Sequence, residues 1–198
     1  MFTCRHAPLE LAPAVTRELA ARYGEPHRAY HTAAHVDEVL GWFDWVADRV
    51  GWRHPHDVYL AIVFHDATYD PLAKDNEVRS AALAAHLVDA SERTQALIRL
   101  TARHGTLTPG DVADDVDAAH FLDCDMAILG APAAAFEAYD AAIALEYHAV
   151  PRELFRAGRR AFLARLLAAP RIYLSELFHD ELDAATRGNL ERALAGYG

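Results

Sequence analysis

Residues 59–70 read YLAIVFHDATYD, and this stretch decides how the chain folds. Val58 and the first six of these residues carry no charge and leave no polar stripe, so we expect a helix buried on all sides. His65 and Asp66 follow the apolar run directly. A buried carboxylate costs several kcal/mol unless it is paired, hydrogen-bonded or bound to a metal. The alternative is a helix end at the surface, with His65 near the last carbonyls and Asp66 in water.

Helical periodicity extends from this stretch over almost the whole chain. Apolar residues recur at i, i+3 and i+4, or form runs of helical length, and no segment alternates with period two. No Gly-, Ser- or Pro-rich linker and no internal repeat divides the sequence. We therefore predict one all-α domain over residues 1–198, a helical bundle of about eight or nine helices. The predicted helical segments are 8–23, 33–49, 56–68, 76–89, 92–104, 113–129, 133–148, 152–168 and 178–196.

Composition excludes several classes of function. The chain has 29 acidic and 19 basic residues, and its net charge of −10 argues against broad binding to nucleic acid, which needs a basic face. No apolar signal region is visible at the N-terminus, and no stretch approaches the roughly 18–20 apolar residues of a membrane span. The two cysteines, Cys4 and Cys124, lie far apart in no metal-binding spacing. We therefore expect no membrane contact and a reducing, cytoplasmic location.

The dipeptide His-Asp occurs three times, and context separates the copies. His56-Asp57 follows a proline in a predicted first helical turn, where an acid favours the helix dipole. The pair at 179–180 precedes another acidic helix start and has the pattern of a solvated cap. Only His65-Asp66 ends an apolar run. That pair is therefore the candidate for chemistry.

A second candidate carboxylate lies in FLDCDMAILG, residues 121–130. Asp123 and Asp125 are two positions apart, about 200° around a helix, so they face opposite ways. On a helical wheel, Asp125 falls at the middle of the apolar arc and Asp123 on the far side. We therefore expect Asp125 to face the core and Asp123 to face water. A buried Asp125 that caps a neighbouring helix is the alternative.

The segment YHTAAHVDEVLGWFDWV supplies a third candidate. His31 and His35 are four residues apart, and His35 lies at the edge of an apolar stripe. His35, His65, Asp66 and Asp125 are thus four ligand-type side chains that we expect to point inward from three helices. Imidazole and carboxylate together suit Mn²⁺, Fe²⁺, Ni²⁺, Co²⁺ or Zn²⁺, with Mg²⁺ as a further candidate.

These residues resemble the H…HD…D signature of the HD superfamily of metal-dependent phosphohydrolases. The flanking segments YHTAAHVDEVL, AIVFHDATYDPLAKDNEVRSA, TARHG, FLDCDMAILG and TRGNLERAL are similar to a bacterial family of predicted HD phosphohydrolases, over roughly residues 25–197. The resemblance implies an HD-type all-α bundle, a divalent metal on His35, His65, Asp66 and Asp125, and hydrolysis of a phosphate ester. It implies no particular substrate. Nucleotidase relatives carry a Glu three residues after the HD aspartate, where this chain has Tyr69.

Further site residues are hypotheses built on this resemblance. Asp66 is expected both to bind the metal and to orient the attacking water, and Asp70 is the candidate second acid that positions the water or takes its proton. A turn-forming Asp before Pro71 is the alternative for Asp70. The candidate substrate-binding residues are His31, Lys74, Glu77, Arg79, Arg103 and His104. The expected substrate is a small phosphorylated compound, a nucleotide among the candidates.

Their expected roles differ. Lys74 and Arg103 are candidates for contacts with phosphate, and His31 or His104 for donation to a leaving oxygen or for a second metal. Glu77 and Arg79 are candidates for the pocket mouth, with surface ion pairing as the alternative.

Two other functions stay open on the sequence. A di-iron oxygenase with an HD-like fold needs extra histidines before the final aspartate, and His86 and His104 are the available ones. A non-catalytic module that binds a metal or a nucleotide needs a closed ligand shell. Trp45 points away from the apolar stripe of its helix and is a candidate contact of a homo-oligomer.

Overall fold

The structure is a computed structural model that describes residues 2–197. Over that range it contains nine α-helices, three short 3₁₀ segments and no strand, so the predicted all-α class is confirmed. Among those residues no single helix is long and apolar enough to cross a membrane, although one sharply bent pair, Val116–Gly130 with Ala133–Glu146, has that length and composition when taken together. The helices are α1 (Pro13–Tyr23), α2 (Ala33–Arg49), α3 (Pro55–Phe64), α4 (Asn76–Val88), α5 (Glu92–Leu100), α6 (Val116–Met126), α7 (Ala133–Glu146), α8 (Arg152–Ala168) and α9 (Glu176–Gly196).

The helices divide into two compact units. One unit ends at Arg103 and contains α1 to α5, and the other begins at His104 and contains α6 to α9. The predicted organisation as a single domain stays a prediction.

Helix α3 forms the core of the first unit. It contacts α2, α4 and α5, and every residue from Val58 to Phe64 is at most 2% exposed. The absence of a polar stripe explains this position, because any exposed face would leave apolar surface in water. The expectation of a helix buried on all sides is confirmed.

Several predicted helix boundaries were wrong, and two of them have clear local reasons. The first helix begins at Pro13 and not at residue 8, because a proline disfavours helical backbone in the residue before it. Helix α3 ends at Phe64 and not at residue 68, with His65 as its C-cap. His65 and Asp66 therefore leave the helix at the end of the buried run.

In the second unit, hydrogen bonds join the start of α9 to α6, and α9 itself to the 3₁₀ segment Ala127–Gly130. The Asp123 carboxylate accepts hydrogen bonds from the backbone N–H groups of Leu174 and Ser175 at 2.7 and 2.8 Å, and from Ser175 Oγ at 2.6 Å. Asn189 donates to the carbonyls of Leu129 and Ala131, both at 2.8 Å. These bonds satisfy polar groups that burial would otherwise leave unpaired.

The expectation that Asp123 faces water was wrong, since it is 2% exposed. The wheel assumed a regular helix through residue 129, but α6 ends at Met126 and a 3₁₀ segment follows, which changes the angle per residue. In addition, α6 is buried from Asp117 to Cys124, so its far side is covered by protein.

Candidate metal centre

Three of the predicted metal ligands converge in the first unit. His35 Nε2 lies 3.2 Å from His65 Nε2 and 3.7 Å from Asp66 Oδ2, and the latter two atoms are 3.0 Å apart. We name His35, His65 and Asp66 the HHD cluster. Within residues 2–197 it is the one group of three or more His, Cys, Asp or Glu side chains whose ligand atoms lie close enough together to bind the same ion.

The position of His65 follows from the end of α3. Its side chain is 1% exposed, and its Nδ1 lies 2.7 Å from the carbonyl oxygen of Ile62. Since a carbonyl only accepts hydrogen bonds, Nδ1 carries the proton and donates it. The neutral ring then presents the lone pair of Nε2 to the cluster, which is the tautomer a metal ligand needs.

His35 reaches the cluster from the first turn of α2. Its side chain is 2% exposed and lies on the buried face that includes Val36, Val39 and Phe43. Its ring centroid is 4.7 Å from that of Tyr30 and 5.3 Å from that of His65. The expectation that His35 points inward is confirmed.

The donor set fits a divalent transition metal. Bonds of about 2.1 Å let two ligand atoms of one metal lie up to about 4.2 Å apart, and the three measured separations are all shorter. Two imidazole nitrogens and one carboxylate oxygen are borderline to hard ligands, which suit Mn²⁺, Fe²⁺, Co²⁺, Ni²⁺ or Zn²⁺.

Exposure differs across the HHD cluster. The two imidazoles are almost fully buried, whereas the side chains of Asp66 and of neighbouring His31 are 18% and 20% exposed. His31 Nε2 is 4.0 Å from Asp66 Oδ2, and its ring lies against Tyr69 with centroids 4.3 Å apart. The two histidines of the cluster are therefore buried, and Asp66 lies on its solvent-accessible side.

Asp125, the fourth predicted ligand, lies on α6 in the second unit. Its Oδ2 is 2.7 Å from Nε2 of His104, and the two side chains are 13% and 20% exposed. The expectation that Asp125 faces the core is therefore only partly met. Its role as a ligand and the role of His104 in substrate binding stay predictions.

Asp70 occupies a turn. Its Oδ1 accepts from the backbone N–H of Leu72 at 2.9 Å, and its backbone exchanges two hydrogen bonds with the Asn76 amide. This arrangement matches the turn-forming alternative. The catalytic role of Asp70 stays a prediction.

The remaining candidates lie on or near the surface of the first unit. Lys74 and Arg103 are exposed, and Glu77 is half-buried on the first turn of α4. Arg79 is exposed with its Nη1 4.0 Å from Asp75 Oδ1, the surface pairing that was its alternative. His86, one of the two histidines available for the di-iron interpretation, is exposed on α4.

Sequence reasoning missed Arg28. Its side chain is fully buried beside the HHD cluster, and its guanidinium donates hydrogen bonds to the backbone carbonyls of His31 and Asp66. No periodicity marks this residue, because it belongs to the irregular segment between α1 and α2. Its position three residues before His31 was the available signal.

Comparisons with known proteins add no relative. The chain matches no protein-family model, and it has no significant match among curated proteins or solved structures.

Proposed function

We propose that this chain is a divalent-metal-dependent phosphohydrolase that acts on a small phosphate ester. The observation that carries the proposal is the convergence of His35 Nε2, His65 Nε2 and Asp66 Oδ2 within 3.7 Å of one another. The resemblance of these residues to the HD phosphohydrolase signature supplies the reaction class.

The HHD cluster would hold the metal. A divalent cation bound there would lower the pKa of a bound water molecule and offset negative charge that develops on the phosphoryl oxygens. The imidazoles of His35 and His65 are only 2% and 1% exposed, so protein covers their side of the proposed site. The bond from His65 Nδ1 to Ile62 keeps that ring in its ligating tautomer.

Asp66 and His31 would perform the proton transfers. Asp66 is on the accessible side of the cluster, where a carboxylate oxygen can orient the attacking water and accept its proton. His31 is the proposed donor to a leaving oxygen; its Nε2 lies 4.0 Å from Asp66 Oδ2, and its side chain is 20% exposed. An accessible side supports a catalytic site over a closed structural one.

The first prediction concerns the metal itself. Untagged protein is expected to contain a bound transition metal by elemental analysis, and to hydrolyse p-nitrophenyl phosphate or its diester with Mn²⁺, Ni²⁺, Co²⁺ or Mg²⁺ added separately. His65→Ala is expected to lose the metal. Asp66→Asn is expected to lower turnover by about 100-fold or more, the range for loss of a general base.

The matched control is His56→Ala, which alters the exposed histidine of another His-Asp pair, at the first turn of the same helix. It is expected to keep metal and turnover. Full metal content in both His65→Ala and Asp66→Asn would contradict the proposed site.

A further inference from the structure

Arg28 is a buried cation whose hydrogen bonds end on the backbone of the HHD cluster. Its side chain has no exposed surface, and it lies in the irregular segment between α1 and α2. Its Nη1 donates to the carbonyl oxygen of His31 at 2.9 Å and to that of Asp66 at 2.8 Å. Its Nη2 donates to the carbonyl oxygen of Ala67 at 3.3 Å. One guanidinium thus joins the segment before α2 to the segment after α3.

Other contacts fix the guanidinium in place. Its Nε donates to Glu25 Oε2 at 3.0 Å, and its carbon lies 5.2 Å from the ring centroid of Tyr23 and 5.4 Å from that of Tyr69. Tyr23 is itself tied to α3, since its hydroxyl donates to the carbonyl of Val63 at 2.9 Å. The cation is therefore held between aromatic rings and beside one carboxylate, which offset the cost of burying its charge.

The bonding pattern separates Arg28 from a substrate-binding arginine. Of the five N–H donors of a guanidinium, four are directed at Glu25, His31, Asp66 and Ala67. A buried group with its donors so engaged is poorly placed to meet a phosphate. Its partners are instead the main chain of Asp66, whose side chain is a proposed ligand, and of His31 at the opening.

We propose that Arg28 is a positioning residue that fixes the backbone of Asp66 and His31, and so sets the coordination geometry of the HHD cluster. The inference rests on the metal site proposed above. A lysine cannot reproduce the effect, because its single ammonium lacks the planar fork that reaches both segments.

The test uses the full-length protein loaded with Co²⁺. Wild type, Arg28→Lys and Arg22→Lys are titrated with Co²⁺, and the visible spectrum of each complex is recorded. Arg28→Lys is expected to raise the dissociation constant for Co²⁺ by about 10–100-fold, as for loss of residues that orient metal ligands, and to change the visible bands. Arg22→Lys makes the same exchange at an α1 ion pair with Glu18 and is expected to match wild type.

The outcomes separate three conclusions. Wild-type affinity and spectrum in folded Arg28→Lys would overturn the inference, even if the metal-free protein melted at a lower temperature. If Arg28→Lys does not fold by circular dichroism, Glu25→Gln decides: a raised dissociation constant supports the inference, and an unchanged one overturns it. A wild-type protein that binds no Co²⁺ would show, before any variant is measured, that the proposed function itself has failed.

Discussion

At the scale of single residues, two identical His-Asp pairs differ in burial, and this difference makes only one of them a candidate site. His65 and His56 both precede an aspartate, but the first is 1% exposed at the end of α3 and the second is exposed at its start. The sequence predicted this difference, because only one pair ends an apolar run. It did not predict Arg28 or the burial of Asp123, because both depend on backbone groups that fold back from distant segments.

The thiol of Cys4 gives a prediction at this scale. Burial, reinforced by the charge of Asp44 and a hydrogen bond to it, raises the pKa of Cys4 to about 12. A raised pKa means less thiolate at any lower pH, so iodoacetamide at pH 8 is expected to alkylate native Cys4 about 100-fold or more slowly than the same cysteine in urea. Peptide mass spectrometry over time measures this rate.

Asp44→Asn is the informative variant for Cys4. It removes the carboxylate charge, lowers the pKa of the thiol and is expected to speed alkylation of Cys4 but not of Cys124, which is buried in the other unit. Rapid alkylation of Cys4 in the native wild-type protein would contradict the prediction.

At the scale of elements, periodicity located all nine helices of residues 2–197 but misplaced several ends. Segments 33–49 and 152–168 agree with α2 and α8 at both ends, because polar or proline punctuation bounds them. The segments 92–104 and 113–129 each end in a 3₁₀ segment. Apolar spacing does not distinguish the last turn of an α-helix from a 3₁₀ turn, since both bury residues at i and i+3.

Close packing at Gly130 gives a prediction for one of these ends. A Cβ at Gly130 would lie 2.9 Å from Cβ of Leu182 and 3.0 Å from Oγ1 of Thr186 on α9. Gly130→Ala is therefore expected to lower the free energy of unfolding by about 1–3 kcal/mol, because the helix must shift to admit the methyl group. Urea denaturation measures the change.

Gly158 is the matched control for Gly130. It lies inside α8 in the same unit, and a Cβ there meets no atom within 4 Å. Gly158→Ala is expected to raise stability by about 0.5–1 kcal/mol, since alanine favours helix over glycine. Destabilisation of equal size by both substitutions would show that packing against α9 is not the cause.

At the scale of the whole molecule, the division at residues 103 and 104 is the feature that the sequence did not reveal. No linker composition marks it, and the motif that suggested one site has three members in one unit and Asp125 in the other. All three tryptophans of the chain lie in the first unit. Trp45 packs against Trp42 with centroids 5.1 Å apart and under the Arg49 guanidinium, and its role in an oligomer stays a prediction.

The tryptophans allow stability to be measured for the unit that holds the HHD cluster. Metal that binds only the folded chain is expected to add about 2.7 kcal/mol when its free concentration is about 100 times the dissociation constant. Unfolding in urea, followed by tryptophan fluorescence with and without Co²⁺, measures this shift. Circular dichroism of the same samples reports on the helices of both units. A difference between the urea midpoints measured by fluorescence and by circular dichroism would show that unfolding has more than one step.

A variant serves as the control for the unfolding measurement. His65→Ala is expected to abolish the shift, because it removes one of the three side chains of the HHD cluster. An equal Co²⁺ shift in His65→Ala would assign the bound ion to another site.

The buried run that ends at Phe64 also limits how this scaffold can diversify. A charge anywhere from Val58 to Phe64 would be buried without compensation, so that stretch tolerates little beyond exchange of one apolar side chain for another. The turn that follows it, with exposed Asp70, Leu72 and Lys74, carries no such restriction. Under the proposed function, selection for another substrate is therefore expected to alter residues of this turn and to leave the residues from Val58 to Phe64 apolar.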